Sequence, residues 1–157
     1  MIFFPLKKTF IVAEIGNNHE GSIKTAKRLI LAAKKTGVDA VKFQTYDVAK
    51  YVNTDDKKRY KILKKFQLKK AEFVQLANFA KKNGLKFIST PFDLESANFL
   101  NEIVDYFKIS SGDNNFHDLI SLVVSKKKPT LISTGLLNLK QIGQLIRFVK
   151  SKIPSDN

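Results

Sequence analysis

The sequence predicts an α/β fold: a parallel β-sheet whose strands alternate with helices. Three observations carry that prediction. Five short apolar runs each end in a polar or charged residue, always at the C-terminal tip. They are Phe10-Ile11-Val12-Ala13 before Glu14, Ala40-Val41 before Lys42-Phe43-Gln44, Phe87-Ile88 before Ser89-Thr90, Tyr106-Phe107 before Lys108, and Leu131-Ile132 before Ser133-Thr134. Strands that are apolar along their length belong to parallel sheets buried on both faces, and in such sheets ligands collect beyond the carboxyl ends. Segments of helical period lie between the runs, and start and stop signals punctuate them at the expected places.

Taken in order, a strand over about 9–14 is followed by a helix over 22–36. Ser22 caps that helix, and its apolar stripe is Ile23, Ala26, Leu29, Ile30 and Ala33. Gly37 closes it, and a strand over 39–44 follows at once. The next helix, 69–83, shows Phe73, Leu76, Ala77 and Ala80 and ends at Gly84, before a strand over 86–90. Asp93 caps a helix over 94–102 with Leu94, Ala97 and Leu100 on one side. A strand over 105–110, a helix over 116–125 and a strand over 129–133 follow. The last helix, 138–151, opens on Asn138 with Gln141 three positions on, a capping box, and carries Leu139, Ile142, Leu145, Ile146 and Val149.

The long connection, 45–66, lies on the same side as the strand tips. Its two readings, a substrate-covering loop and a neutral surface excursion, both stand at this point.

Five βα units in a row fit an open doubly wound sheet or a (β/α)8 barrel of TIM type. No glycine-rich phosphate fingerprint follows the first strand, where a dinucleotide-binding fold places one. Every strand carries a polar tip, not only those at a switch point. Both facts favour the barrel. A complete barrel takes about 250 residues, so residues 1–157 are expected to be the N-terminal part of one, a partial barrel of about five βα units.

Bulk composition agrees with a globular chain: 43% hydrophobic residues, 7 Gly and 4 Pro. The net charge of +14 comes from lysine pairs and triplets such as Lys34-Lys35, Lys64-Lys65 and Lys126 to Lys128. These read as solvated helix faces, and no nucleic-acid partner is expected. There is no cysteine, hence no disulfide framework and no cysteine metal site. The opening apolar stretch breaks at Lys7-Lys8, too soon for a signal or a membrane span. A cytoplasmic protein with no membrane partner is expected.

Lysine inside a strand of a buried sheet is costly unless it is paired or meets an anion. Lys42 and Lys108 both stand in that setting, with Glu14 an available carboxylate partner. Ser111-Gly112 and Ser133-Thr134-Gly135 offer hydroxyls and backbone N–H groups suited to phosphate or carboxylate. Glu14 reads equally as a base, an indirect metal partner or a hydroxyl acceptor. His19, in the loop Gly16-Asn17-Asn18-His19-Glu20-Gly21, reads as a structural hydrogen-bonding residue and His117 as a surface one. Neither makes a metal site.

Together Ala13-Glu14-Ile15-Gly16-Asn17-Asn18-His19-Glu20-Gly21, Asp39-Ala40-Val41-Lys42-Phe43-Gln44-Thr45, Ser89-Thr90-Pro91-Phe92-Asp93, Lys108-Ile109-Ser110-Ser111-Gly112 and Ser133-Thr134-Gly135 resemble the ordered motifs of the sialic acid synthase family. That family comprises N-acetylneuraminate synthase and its legionaminate and pseudaminate relatives. The resemblance implies a transferase that condenses phosphoenolpyruvate with an N-acyl sugar on a (β/α)8 barrel, using a divalent metal, Mn2+ or Mg2+. It also implies a homodimer in the full-length enzyme.

By position, Lys42, Lys108, Ser111 and Ser133 resemble the phosphoenolpyruvate-binding set, and Glu14 the acidic residue beside the acceptor sugar, with Gln44 and Phe92 lining the same face. Glu14, Lys42 and Lys108 are the expected catalytic residues. Asp113 stands where the family usually has Glu, one methylene longer. The family's metal-binding histidines and its antifreeze-like C-terminal domain are expected to be absent from this chain. It is then expected to bind phosphoenolpyruvate weakly and to turn over nothing alone. The alternative is a non-catalytic partial barrel that assembles with itself or with a separately encoded remainder.

Overall fold

Hydrogen bonding joins five strands in the order in which the sequence supplies them, β1-β2-β3-β4-β5, all parallel. The computed structural model describes residues 9–153. Its elements are β1 (Val12–Gly16), α1 (Ile23–Lys35), β2 (Ala40–Thr45), α2 (Val48–Tyr51), α3 (Lys57–Phe66), α4 (Lys70–Lys82), β3 (Lys86–Pro91), α5 (Leu94–Leu100), β4 (Tyr106–Ile109), α6 (His117–Ser125), β5 (Thr130–Ile132) and α7 (Leu139–Lys152). A doubly wound sheet reverses its strand order at a switch point. Here nothing reverses, which is the winding of a barrel, and the fold is a partial (β/α) barrel of TIM type.

Parallel register places residue partners on the same face of the sheet. Glu14 aligns with Lys42, Lys42 with Ile88, and Ile88 with Tyr106, so these four side chains share one face. On that face the rings of Phe10 and Tyr106 meet at 5.5 Å between centroids. Three strand spacings separate them, about 14 Å along a flat sheet. Their contact therefore requires the sheet to curl, with this face concave.

The opposite, convex face carries Val41, Phe43, Phe87, Phe107 and Ile109, all fully buried against the helices. Phe43 and Phe87 stack at 5.4 Å. The helices bring Ala26 and Ile30 of α1, Phe73, Leu76, Ala77 and Ala80 of α4, Ala97 and Leu100 of α5, and Leu119, Ile120 and Val123 of α6. Those of α1, α4 and α5 fall on the stripes read from the sequence, and α6 adds a set that the sequence reading did not single out. Each fully buried Leu, Ile or Phe among them contributes roughly 1.5–3 kcal/mol. This layer fixes the strands from outside and leaves the concave side free for chemistry.

Helix starts match the predicted caps. Ser22 Oγ accepts from Thr25 N at 3.2 Å, and Asn138 and Gln141 exchange reciprocal bonds at 3.0 and 2.8 Å. Among the described residues no helix is long and apolar enough to cross a membrane.

One segment departs from expectation. The connection 45–66 is helical over α2 and α3. Asp47 and Asp56 cap the two helices, accepting from Ala49 N at 3.1 Å and Arg59 N at 3.0 Å. Their apolar sides, Tyr46, Val48 and Val52 with Tyr51, Tyr60 and Leu63, close a small second core against Phe92. The pattern was hidden because α3 carries Lys57, Lys58, Arg59, Lys61, Lys64 and Lys65 and buries none of its residues fully. β1 also begins at Val12 and runs to Gly16, and β5 stops at Ile132, which leaves Ser133 just beyond its strand.

Candidate functional site

The tips of the strands converge on the concave face. Lys42 of β2 pairs with the carboxylate of Glu14 on β1, and its Nζ also reaches Thr90 Oγ1 of β3 at 3.5 Å. The Lys42 side chain is 15% exposed and that of Glu14 51%, so the pair stands at the mouth rather than in the core. Of the readings open for Glu14, the structure shows an ion-pair partner for Lys42.

Lys108 of β4 is answered differently. Its Nζ donates to Ser133 Oγ and to the Ile109 carbonyl, each at 2.6 Å. It makes no ion pair among the described residues. Burial pulls its pKa below the ordinary lysine value, the nearby Lys42 charge pulls it further, and Glu14 and Asp113 push the other way. A half-buried ammonium with only neutral oxygens bound, facing a second ammonium, is a site short of negative charge.

Around this pair the predicted residues fall as follows. Ser133 is in direct contact with Lys108. Ser111 lies in the turn after β4, against the turn after β5: a Cβ on Gly135 would sit 3.2 Å from Ser111 Cβ. A Cβ there would be tighter than most such contacts, so glycine eases the approach of the two turns. Asn114, buried, ties the same two turns by donating to Gly135 O at 2.9 Å. Asp113 keeps one carboxylate oxygen, Oδ2, buried and, among the described residues, without a hydrogen-bond partner, within electrostatic reach of Lys108.

Gln44 projects at the tip of β2, where its Oε1 accepts from Asn17 Nδ2 at 3.0 Å. Gly16, at φ +52°, passes between Glu14 and Gln44; a Cβ there would lie 3.1 Å from Glu14 Oε1 and 3.7 Å from Gln44 Nε2. Phe92, expected to line the same face, packs its ring on Tyr51 at 4.3 Å and on Tyr46 at 6.4 Å. These ring contacts make Phe92 a support for the segment carrying α2 and α3, since aromatic pairs stabilise one another beyond the area they bury.

Three residues were missed. Thr90 is buried and touches Lys42; its place in the alternation of β3, two residues after the inward Ile88, was the available signal. Asn17 and Arg59 left none, because the first sits in a turn and the second in a lysine-rich run. Between α3 and the tip of β2 lies an open cleft of about 420 Å3, lined in part by Asn17, Gln44, Tyr51 and Arg59.

The two histidines of the chain do not face the ammonium pair as a ligand set. His19 is buried, its Nδ1 accepting from Gly21 N at 3.0 Å, and His117 stacks on Phe148 at 4.4 Å. Among the described residues no group of three His, Cys, Asp or Glu is arranged to hold a metal. The residues present do not fit the metal that the resemblance implies.

Comparison with known proteins places this geometry. N,N'-diacetyllegionaminic acid synthase of Legionella pneumophila is 37% identical over 155 residues, which cover 90% of this chain and 44% of that one. N-acetylneuraminate-9-phosphate synthase of Mus musculus is 30% identical over 159 residues, 93% of this chain and 44% of that one. The crystal structure of N-acetylneuraminic acid synthetase from Leptospira borgpetersenii, in complex with citrate, aligns with a TM-score of 0.89 at 28% identity, over 96% of this chain and 55% of that one. The chain thus spans somewhat under half the length of these curated relatives. A model described as the NeuB family matches residues 29–156, and with these sequence relatives it shows that the chain belongs to the NeuB family, that of the sialic acid synthases.

Proposed function

We propose that this chain carries the phosphoenolpyruvate cradle of a sialic acid synthase-type transferase. The full enzyme would condense phosphoenolpyruvate with an N-acyl sugar, N-acetylmannosamine or a related bacterial sugar, to give a nonulosonic acid and phosphate. The observation that carries the reading is the Lys42–Lys108 pair on one concave face, where, among the described residues, Glu14 pairs with Lys42 and Lys108 is bound only to neutral oxygens. A multiply charged three-carbon acid supplies the missing negative charge through charge-assisted hydrogen bonds.

In this proposal Lys108 and Ser133 hold one anionic end of phosphoenolpyruvate, Lys42 with Thr90 holds the other, and Ser111 closes the rim. C3 of the enol attacks the sugar aldehyde, a new C–C bond forms, and positive charge develops at C2. Water adds there, and phosphate leaves with C–O cleavage, carrying the former bridging oxygen. The ammonium group at the phosphate end holds that group's charge as it separates, while the other holds the carboxylate. Glu14, more than half exposed beside Lys42, is placed to accept a proton from an acceptor hydroxyl or from the water. The Mn2+ or Mg2+ of the resemblance remains a requirement on the complete enzyme, as does its homodimer. Activation of the aldehyde is assigned to no residue here.

The test is a calorimetric titration of phosphoenolpyruvate into the 157-residue chain and into Lys42→Ala and Lys108→Ala, with circular dichroism as a control on folding. Saturable binding that either substitution weakens by about tenfold or more is expected, since a hydrogen bond to a charged group contributes roughly 1.5–3 kcal/mol. No binding to the folded wild-type chain, or equal binding by the variants, would overturn the reading.

A further inference from the structure

We infer that Lys108 is a carbonyl-trapping amine, whose Nζ forms a reversible imine with a small 2-oxo acid held at its carboxylate by Lys42. The inference goes beyond the condensation proposed above and shares with it only the two lysines.

Register brings the two lysine heads together. Ile88 aligns with Lys42 on one side and with Tyr106 on the other. Two residues further along β3 and β4 stand Thr90 and Lys108, on the same concave face. Lys42 Nζ reaches forward to Thr90 Oγ1 at 3.5 Å, toward the level of Lys108. A molecule bound to Lys42 and Thr90 therefore borders the Lys108 amine.

The partners of Lys108 suit an amine. An ammonium has three N–H donors; a neutral amine has two, and a lone pair. Lys108 Nζ donates to the Ile109 carbonyl and to Ser133 Oγ, each at 2.6 Å, and among the described residues it has no further acceptor. Both donors of the amine are met, and the position left over belongs to the lone pair that attacks a carbonyl.

The charges act in the same sense. Glu14, the carboxylate available to answer Lys108, pairs with Lys42 instead. Burial lowers the Lys108 pKa, Lys42 lowers it further, and Glu14 and Asp113 oppose. A lysine desolvated beside a second cation is the setting in which an amine becomes a nucleophile. When an anion bridges the two lysines, both are ammonium groups. When none does, Lys108 is the one that releases a proton.

Lys128 supplies a comparison within the chain. It too donates to neutral oxygens, the carbonyls of Asn101 and Val104. Those close the C-terminal end of α5, where the helix dipole favours a cation.

In the step, the Nζ lone pair attacks C2 of the 2-oxo acid and the carbonyl π pair moves to oxygen. One N–H proton passes to that oxygen, giving a carbinolamine. The hydroxyl leaves as water with a proton from solvent, the nitrogen pair forms C=N, and the remaining N–H proton returns to solvent. Nothing is oxidised or reduced, and hydrolysis reverses the sequence. Ser133 and Ile109 orient the nitrogen, while Lys42 and Thr90 hold the carboxylate.

The experiment incubates the 157-residue chain with pyruvate and sodium cyanoborohydride, which delivers hydride to the imine carbon and fixes the adduct. Peptide mass spectrometry then maps the labelled lysines. Lys108 is expected to be labelled about tenfold or more above Lys128 or any exposed lysine, the gain that a charge-assisted carboxylate contact supplies. Lys42→Ala, with folding checked by circular dichroism, is expected to lose most of that preference. Acetone, a carbonyl without a carboxylate, is expected to lose most of it on the wild-type chain. Even labelling of all lysines, a preference that acetone keeps in full, or one that survives in folded Lys42→Ala refutes the inference. Added phosphoenolpyruvate separates the two readings. Suppressed labelling of Lys108 supports both; labelling that it leaves unchanged keeps the imine site and counts against the phosphoenolpyruvate cradle.

Discussion

Lys108 and Ser133 are joined by a 2.6 Å hydrogen bond that runs from β4 to the residue following β5. The register makes the contact possible: Lys108 aligns with Leu131, and Ser133 lies two residues further along the same face. Burial and Lys42 hold the Lys108 pKa below the usual lysine value. A bound anion favours the ammonium form, so phosphoenolpyruvate is expected to bind less well as pH rises through that lowered pKa. Affinity measured by calorimetry between pH 7 and pH 10 is expected to fall earlier than an ordinary lysine near 10.4 would dictate. Lys108→Arg, whose guanidinium stays charged, is expected to flatten that fall. A profile identical in both proteins would remove Lys108 from the anion contact.

Asp93 holds two segments at once. Its Oδ1 caps α5 by accepting from Ser96 N at 2.7 Å, and its Oδ2 accepts from Asp47 N at 2.9 Å and from Ser96 Oγ at 2.6 Å. The bond to Asp47 ties the segment carrying α2 and α3 to the β3–α5 turn. Asp93→Ala is expected to lower stability to urea by about 1–3 kcal/mol, since it leaves buried donors unmet. Asp93→Asn keeps the cap but presents N–H groups to donors. Both variants are expected to speed limited trypsin cleavage at Lys57, Lys58 and Arg59; unchanged cleavage would show that α3 is held elsewhere.

Which parts of this were legible in the sequence follows from the range of the forces involved. The convex-face core announces itself because Phe73, Leu76, Ala77 and Ala80 repeat at helical spacing and Val41, Phe87 and Phe107 sit in apolar runs. Lys42 and Lys108 were conspicuous because an ammonium in a buried strand is costly, and the structure brings them to one face. α3 escaped notice since Tyr60 and Leu63 alone mark its inner side amid six basic residues. Thr90 carried a weaker signal, its place two residues after Ile88, and the register with Gln44 puts it on the same face. The ladder from Phe92 through Tyr51 to Arg59 joins residues distant in sequence, and no local spacing encodes it.

His19 links the fold to acidity. The ring is 1% exposed, Nδ1 accepts from Gly21 N, and Nε2 is buried without an acceptor among the described residues. Only the neutral ring satisfies Gly21, and burial lowers the pKa from 6.5, with Glu72 opposing. The unfolded chain therefore binds the proton first. Stability is expected to be full above about pH 6.5 and to decline as pH falls toward the lowered folded value, by at most about 1.4 kcal/mol per pH unit for one proton. Urea midpoints at pH 7.5 and 5.5 measure the slope. His19→Gln, which lacks a titrating ring, is expected to reduce it, and an unreduced slope would assign the effect to other groups.

The strand order leaves β1 and β5 each with one edge unpaired by any described strand. On or next to those edge strands apolar side chains meet solvent: Ile11 is 50% exposed and Leu131 40%. Unpaired edges flanked by apolar groups favour strand addition between copies. The purified chain is therefore expected to self-associate, its weight-average mass in analytical ultracentrifugation rising with concentration above the 17.8 kDa of one copy. Lysine on an edge discourages such pairing by its charge and hydration. Ile11→Lys with Leu131→Lys is expected to shift the equilibrium toward the single chain without loss of helical circular dichroism, since both positions are exposed. A wild-type chain that sediments as one copy at every concentration would show that the curl of the sheet already protects its edges.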